Sequence, residues 1–508
     1  MTERVTIWIT GDQCSLQNTA LIAAKDLKTK PHVLMIESIK RGGKIKYHKK
    51  KLILIYSVMR HFADELREAG WHVDYYKEHP DFESAVQDHL DKRKPTNVFM
   101  MEQSEFGATE KLKKLLGDCE VTVTPHCNFI STAKEFEELH KTKDSRVTME
   151  RFYRIMRKKT NLLMEGDNPM GGDWNFDKEN RQPPGKDFKF QPIKTFPPDE
   201  ITRAVIKMVE ENFPDHPGDS SDWMYAVTRK DALKAAKDFF DHRLDEFGPH
   251  QDSMLNGEPF LNHSVLSPYV NTCLLHPLEL AKEAERRYLS GAARLASVEG
   301  FIRQLIGWRE FVWRVYWRLM PDYKKRNQLN GADKKLPEFF TTGDTRMRCM
   351  RDSISTVIKH GYAHHIVRLM LLGNFAMIAG YDPQETDLWF EEMFVDGYDW
   401  VMVPNVIGMA LHADGGYIGT KPYAASANYI NKMSDYCKKC EYKQKESTGD
   451  GACPFNTLYW HFLLRNEDKF ANNHRMALIM KGLASKPESW KKEINERANY
   501  LRNPDSRI

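Results

Sequence analysis

The chain has 508 residues, of which 41% are hydrophobic and 29% charged, and its formal net charge is +4. Those proportions describe a soluble globular protein of roughly two to four domains and exclude a disordered chain. No apolar run reaches the ~20 residues that a bilayer span needs, and the opening MTERVTIWIT has no charged n-region ahead of a long apolar stretch, so the expected compartment is the cytoplasm. Eight cysteines in that setting read as free or metal-bound rather than disulfide-paired.

The first 130 residues alternate strand and helix. Apolar strands are predicted over 5–9, ending at Gly11-Asp12-Gln13, and over 32–36, ending at Glu37-Ser38. Residues 52–69 follow with helical spacing of Ile55, Met59, Phe62 and Leu66. Further strands are predicted over 71–76, 97–101 and 120–123, with helices over 81–90 and 110–116 between them. This rhythm predicts a doubly wound parallel sheet, whose ligands sit beyond the carboxyl ends of the strands, at Asp12, Gln13, Glu37 and Ser38. No GxGxxG is present. Between 168 and 198 the composition shifts to Gly, Pro, Asn, Asp and Lys, a linker or surface loop. Beyond about 222 nearly every segment reads as helix. The expected architecture is an α/β domain over 1–130, a connector over 131–221 and a large all-helical domain over 222–508.

Basic clusters at 44–51, 91–94, 154–159 and 324–326 form either a phosphate-binding face or solvated helix surfaces. Cys437-Lys-Lys-Cys440, with Cys453-Pro454 after it and Cys349 upstream, suits iron–sulphur ligation better than a zinc finger, since neither paired histidines nor a second CxxC close a zinc site. Thiolates serve both metals, so spacing alone leaves the metal open. Cys14, Cys119, Cys127 and Cys273 read as ordinary buried thiols. His364-His365 lie on a helix predicted to start near His360; adjacent helical residues point about 100° apart, so one can meet a substrate while the other orients it.

Five segments, 44–66, 263–275, 303–317, 360–380 and 420–440, resemble in that order the bacterial photolyases and cryptochromes that carry a [4Fe–4S] cluster. These are the deoxyribodipyrimidine photolyase-related proteins, which include bacterial (6-4) photolyases. The resemblance implies a helical domain holding FAD, the cluster on Cys349, Cys437, Cys440 and Cys453, and a 6,7-dimethyl-8-ribityllumazine antenna at Asp12, Gln13 and Glu37. Ser264, Leu266 and Ser267 match the family's flavin-diphosphate loop; Gln304, Trp308 and Arg309 match the helix beside it. Arg368, Asp396 and Asp399 match positions near the isoalloxazine and ribose. The implied activity is light-driven repair of (6-4) photoproducts in damaged DNA by a monomer. His365 matches the proton donor, with His364 as its partner.

Tyr423 and Tyr429 are candidates to stack an extruded lesion. Trp389, Tyr398 and Trp400 are candidates for an electron relay, Trp389 matching the family's tryptophan next to the flavin, although Phe339 and Phe340 leave its outer end without a tryptophan. Arg181 is the candidate DNA-phosphate contact, and Asp177 and Glu179 a weak divalent-cation site (Mg2+). A blue-light receptor of cryptochrome type and a cyclobutane-dimer photolyase are the alternatives. The intact histidine pair, and a chain that ends soon after a predicted helix over 490–501, favour repair over signalling.

Overall fold

The computed structural model describes residues 4–508 except 28, 141, 143–144, 186–187, 189, 504–505 and 507. Five strands, β1 (Val5–Trp8), β2 (His32–Ser38), β3 (His72–His79), β4 (Asn97–Met101) and β5 (Glu120–Thr124), form one sheet in the order β3-β2-β1-β4-β5. All four pairings are parallel. Every residue of β1 is buried, and six of the seven in β2, as expected where helices cover both faces. The outer strands β3 and β5 carry exposed polar residues along their length, which blunts the sheet edges. The chain builds outward from β1 to β3 and then returns to the far side of β1, so the order reverses between β1 and β4. The crevice at that switch point opens beyond Trp8 and Met101, beside Asp12, Gln13 and Ser104.

Helix α1 (Thr19–Ala24), absent from the sequence reading, is started by the Asn18 side chain accepting from the Ala20 amide at 2.9 Å. Helix α2 (Lys49–Glu68) packs the sheet on one side and the helix Glu200–Asn212 on the other, which explains why 13 of its 20 residues are buried. Two of them are Lys50 and Lys51. Their ammonium groups donate to the carbonyls of Lys359, at 2.6 Å, and Glu391, at 2.9 Å. The basic run at 44–51 is therefore, at its end, an interdomain clamp and not a phosphate-binding face.

The α/β portion and the helical portion share one continuous apolar core. Polar links cross the same boundary: the buried Glu310 carboxylate accepts from the amides of Ile130 and Ser131 at 3.0 and 2.9 Å, and Tyr316 accepts from the Phe106 amide at 2.8 Å. The stretch predicted as a linker is docked as well. Asn180 is fully buried and donates to the Ala296 carbonyl at 2.9 Å.

Candidate active site and cysteine centre

Three helices of the all-helical portion widen into i→i+5 turns, over Arg303–Arg309, Val367–Gly373 and Pro404–Ala410. Each contains one glycine, and all three present side chains to the same cavity of about 1060 Å³. Such π-turns shift the register of a helix by one residue and gather at functional sites. Gly373 shows what the arrangement needs: a Cβ there would stand 2.7 Å from the Cβ of Ala410, so two of the widened helices touch backbone to side chain. The cavity lies at the upper end of the 300–1,000 Å³ or so typical of ligand sites, room enough for a dinucleotide.

Most of the residues singled out in the sequence meet on this cavity. Ser264, Leu266, Ser267, Gln304, Trp308, Arg309, Arg368, Asp396, His365, Trp400, Tyr423, Tyr429 and Arg181 line it. Arg368 and Asp396 form a two-pronged pair at 2.9 and 3.0 Å, and Ser267 donates to the same carboxylate at 2.5 Å. The Arg368 guanidinium also lies 4.0 Å over the Phe394 ring. Arg309 donates to the Asn128 carbonyl at 2.6 Å, while its Nε is buried without a partner. These donors and the aromatic walls fit a flat, phosphate-bearing ligand such as FAD.

His364 and His365 part company. The helix Arg348–His360 stops at Gly361, whose φ of +63° makes the left-handed cap that glycine takes without strain. The next helical residue is His365, so the pair sits at a helix start and not inside a helix that begins near His360. His364 is buried and stacks on His263 with ring centroids 4.2 Å apart and planes 11° from parallel. His365 opens on the cavity, yet protein surrounds it and Arg368 stands beside it. Both hold its imidazole down, to about 4.

Asp399, Trp389, Tyr398 and Glu179 lie off the cavity, whereas Asp177 lines it. Asp399 accepts from Tyr316 at 2.5 Å and pairs with Lys324, facing the α/β portion. Trp389 is buried, donates to the Phe340 carbonyl at 2.9 Å and meets the Phe340 ring at 5.2 Å. The Tyr398 hydroxyl is buried without a partner, and the Lys51 ammonium lies 5.4 Å over its ring. Asp177 pairs with Arg303 and, at 3.4 Å, with Arg181, and Glu179 is exposed. Two guanidinium groups thus occupy the carboxylate assigned to a cation.

Asp252, which no motif marks, also lines the cavity. Burial pushes its carboxyl up to about 6; the nearby Arg181 and Arg303 oppose that rise and Asp177 adds to it. Arg154, Arg181 and Arg475 stand exposed at the mouth.

Cys349, Cys437, Cys440 and Cys453 line a second, small cavity with Met347, Tyr436 and Phe455. Burial raises the Cys349 thiol well above its ordinary range, and the other three sulphurs raise it further. Burial likewise lifts Cys437 to about 11 and Cys453 to about 12. Thiols that burial keeps protonated in an apolar setting suit a site whose cations supply the missing positive charge. Among the described residues, no three of these sulphurs lie within 4.8 Å of one another. Four sulphurs 2.3 Å from a single zinc would stand about 3.8 Å apart.

In the α/β portion, Glu37 is fully buried and already engaged by Arg60 at 2.7 and 2.9 Å, Tyr75 at 2.5 Å and the Glu78 amide at 3.1 Å. Asp12 accepts from Thr10 at 3.0 Å and from Ser104, and the Gln13 side-chain oxygen is buried without a partner.

The fold is that of photolyases and cryptochromes. A crystal structure of a bacterial class III photolyase from Agrobacterium tumefaciens superposes with a TM-score of 0.55 at 17% identity, covering 80% of this chain and 79% of that one. A cryptochrome from Synechocystis sp. PCC6803 gives a TM-score of 0.59 at 13% identity, over 85% and 86% of the two chains. Residues 7–225 match the family profile described as deoxyribodipyrimidine photo-lyase-related protein. A protein of Agrobacterium fabrum named (6-4) photolyase is 45% identical over 478 residues, which are 93% of this chain and 94% of that protein. A shorter relative, the uncharacterized protein R855 of Acanthamoeba polyphaga mimivirus, is 40% identical over 109 residues, 22% of this chain and 81% of that protein. The chain belongs to the deoxyribodipyrimidine photo-lyase-related family, and it is an enzyme.

Proposed function

We propose that this enzyme is a light-driven (6-4) DNA photolyase. The observation that carries the reading is His365 opening on a deep cavity that Tyr423 and Tyr429 also line, with Arg154, Arg181 and Arg475 exposed on its lining. The relative named (6-4) photolyase supports the same substrate. FAD, when bound and reduced, supplies a photoexcited electron. Ser264, Ser267, Gln304, Trp308, Arg309 and the Arg368–Asp396 pair would hold the cofactor in the cavity they line. The arginines at the mouth take DNA phosphates, and Tyr423 and Tyr429 flank the extruded lesion.

His365 then holds the proton that a (6-4) lesion, unlike a cyclobutane dimer, needs to receive. In the free protein its imidazole is neutral at physiological pH, and the DNA phosphates drawn into the cavity raise its affinity for a proton. His364 acts through position: its stack on His263 fixes the turn that carries His365. Trp400, and not Trp389 as the family resemblance implies, stands on the cavity wall and would be the relay residue next to the cofactor. The four cysteines bind a [4Fe–4S] cluster, which their wide separation favours over zinc. A lumazine antenna at the switch point would rest on Asp12 and Gln13, since Glu37 is already engaged on both oxygens. The reading places a monomer in the cytoplasm.

The test illuminates reduced, FAD-loaded protein with (6-4)-containing and with cyclobutane-dimer DNA and counts lesions. Light-dependent loss of the (6-4) lesion alone is expected. Loss of the cyclobutane dimer alone would reassign the substrate, and loss of neither would leave the cryptochrome reading.

A further inference from the structure

The cluster cysteines account for four of the eight thiols. Of the others, Cys127 and Cys273 are not the isolated pair that their distance in sequence suggests. The ligand atoms of His126, Cys127 and Cys273 all lie within 4.8 Å of one another, in the seam between the sheet and the helical portion. His126 and Cys127 follow β5 as the chain leaves the sheet. Cys273 sits in the turn after the helix Ser267–Asn271, at a φ of +63° that a non-glycine residue adopts only where its surroundings dictate it.

We propose that His126, Cys127 and Cys273 form a second metal site, built for a soft, thiophilic cation of the Cu(I) type. Three features support this. First, the backbone places the donors in advance. His276 bonds the Cys127 carbonyl at 2.9 Å, and the Asn128 side chain donates to the carbonyls of Val270 at 2.7 Å and Leu275 at 3.3 Å. These contacts lock the 126–128 segment onto the 270–276 turn, so little chain entropy is lost on binding.

Second, the donors are soft. A third sulphur, the thioether of Met101, lies 3.2 Å from the Cys127 amide. Thiolates serve zinc as well as Cu(I), but a nearby thioether in place of a fourth thiolate or imidazole is a soft donor that favours Cu(I) over a closed four-ligand zinc site.

Third, the His126 ring is fixed in place. It meets the Phe129 and Trp313 rings edge-on at 5.1 and 5.7 Å, and the Asn128 amide donates to its Nδ1 at 3.2 Å, a bond that a metal on Nδ1 would displace.

The test uses the full-length protein with its iron in place. It is titrated with Cu(I) against a competing chelator while iron is measured in parallel. Wild type is expected to take up one equivalent more than C127S or C273S, with unchanged iron and an X-ray absorption spectrum showing sulphur and one imidazole nitrogen. Equal uptake by wild type and both variants would overturn the proposal, as would uptake matched by loss of iron. A second measurement needs no variant: alkylation of Cys127 and Cys273 in wild type, read by mass spectrometry, should slow roughly tenfold or more with Cu(I) present. Unchanged alkylation, or a Cys127–Cys273 disulfide with no copper bound, would equally overturn it.

Discussion

The imidazole of His364 lies flat against His263 at 4.2 Å, while that of His365 opens on the cavity beside Arg368. Substituting them should therefore have different signatures. His365→Asn is expected to slow (6-4) repair by about 10²–10⁴-fold, the range for losing a general acid, with DNA affinity nearly unchanged. Single-turnover lesion counting checks it. His364→Asn removes a ring stack and should lower the melting temperature as well as the rate. The pH dependence has a definite sign. Because burial and Arg368 hold His365 at about 4 in the free protein, repair in the DNA complex should quicken as pH falls from 8 to 6, and that slope should vanish in His365→Asn. The sequence exposed His365 because two adjacent histidines are unusual. It hid Asp252, a single acid in a loop whose charged neighbours, Arg181, Asp177 and Arg303, come from segments distant in sequence.

Among the elements, the strands were readable because four or five consecutive apolar residues leave few alternatives, and β1, β2 and β4 lie within two residues of their predicted bounds. The π-turns were not readable. Their residues look like ordinary amphipathic helix, and the extra residue per turn is set by what the three helices must pack around. Gly307, Gly373 and Gly408 are the only local trace. Gly373→Ala tests the packing: with 2.7 Å to the Ala410 Cβ, the helices must separate, at a cost of about 1–3 kcal/mol. Denaturant unfolding and the flavin content of the purified variant should both fall. Asp396→Ala should act more strongly, because it leaves the half-buried Arg368 without its partner, a loss of about 3 kcal/mol or more.

Across the whole molecule, one apolar core runs through both portions, which the strand–helix rhythm of residues 1–130 does not reveal. Burial also holds many histidines neutral: His48 and His89 stay near 4, and His126 and His263 near 3. Between those values and about 6.5 the unfolded chain binds protons that the folded chain does not, so stability falls as pH drops through that window. Each such imidazole should remove on the order of 1–2 kcal/mol between pH 7 and pH 5, read as a lower urea midpoint. Cys437→Ala should lose most of its iron and part of its thermal stability, measured by metal analysis and calorimetry.

The helix Arg348–His360 carries Cys349 in its first turn and runs into Gly361 and the histidine turn at its other end. Its 13 residues make a rod of about 20 Å. The cysteine centre and the proposed proton donor are thus mounted on opposite ends of one strut. A shift of the strut at the cysteine end would tilt His365 against a lesion held by other elements, misaligning the two without altering either. Cys349→Ala should then slow repair more than Cys437→Ala for the same loss of iron, because only Cys349 stands on the strut. Oxidative damage to the cysteine centre would reach the repair step as a change of aim rather than of chemistry.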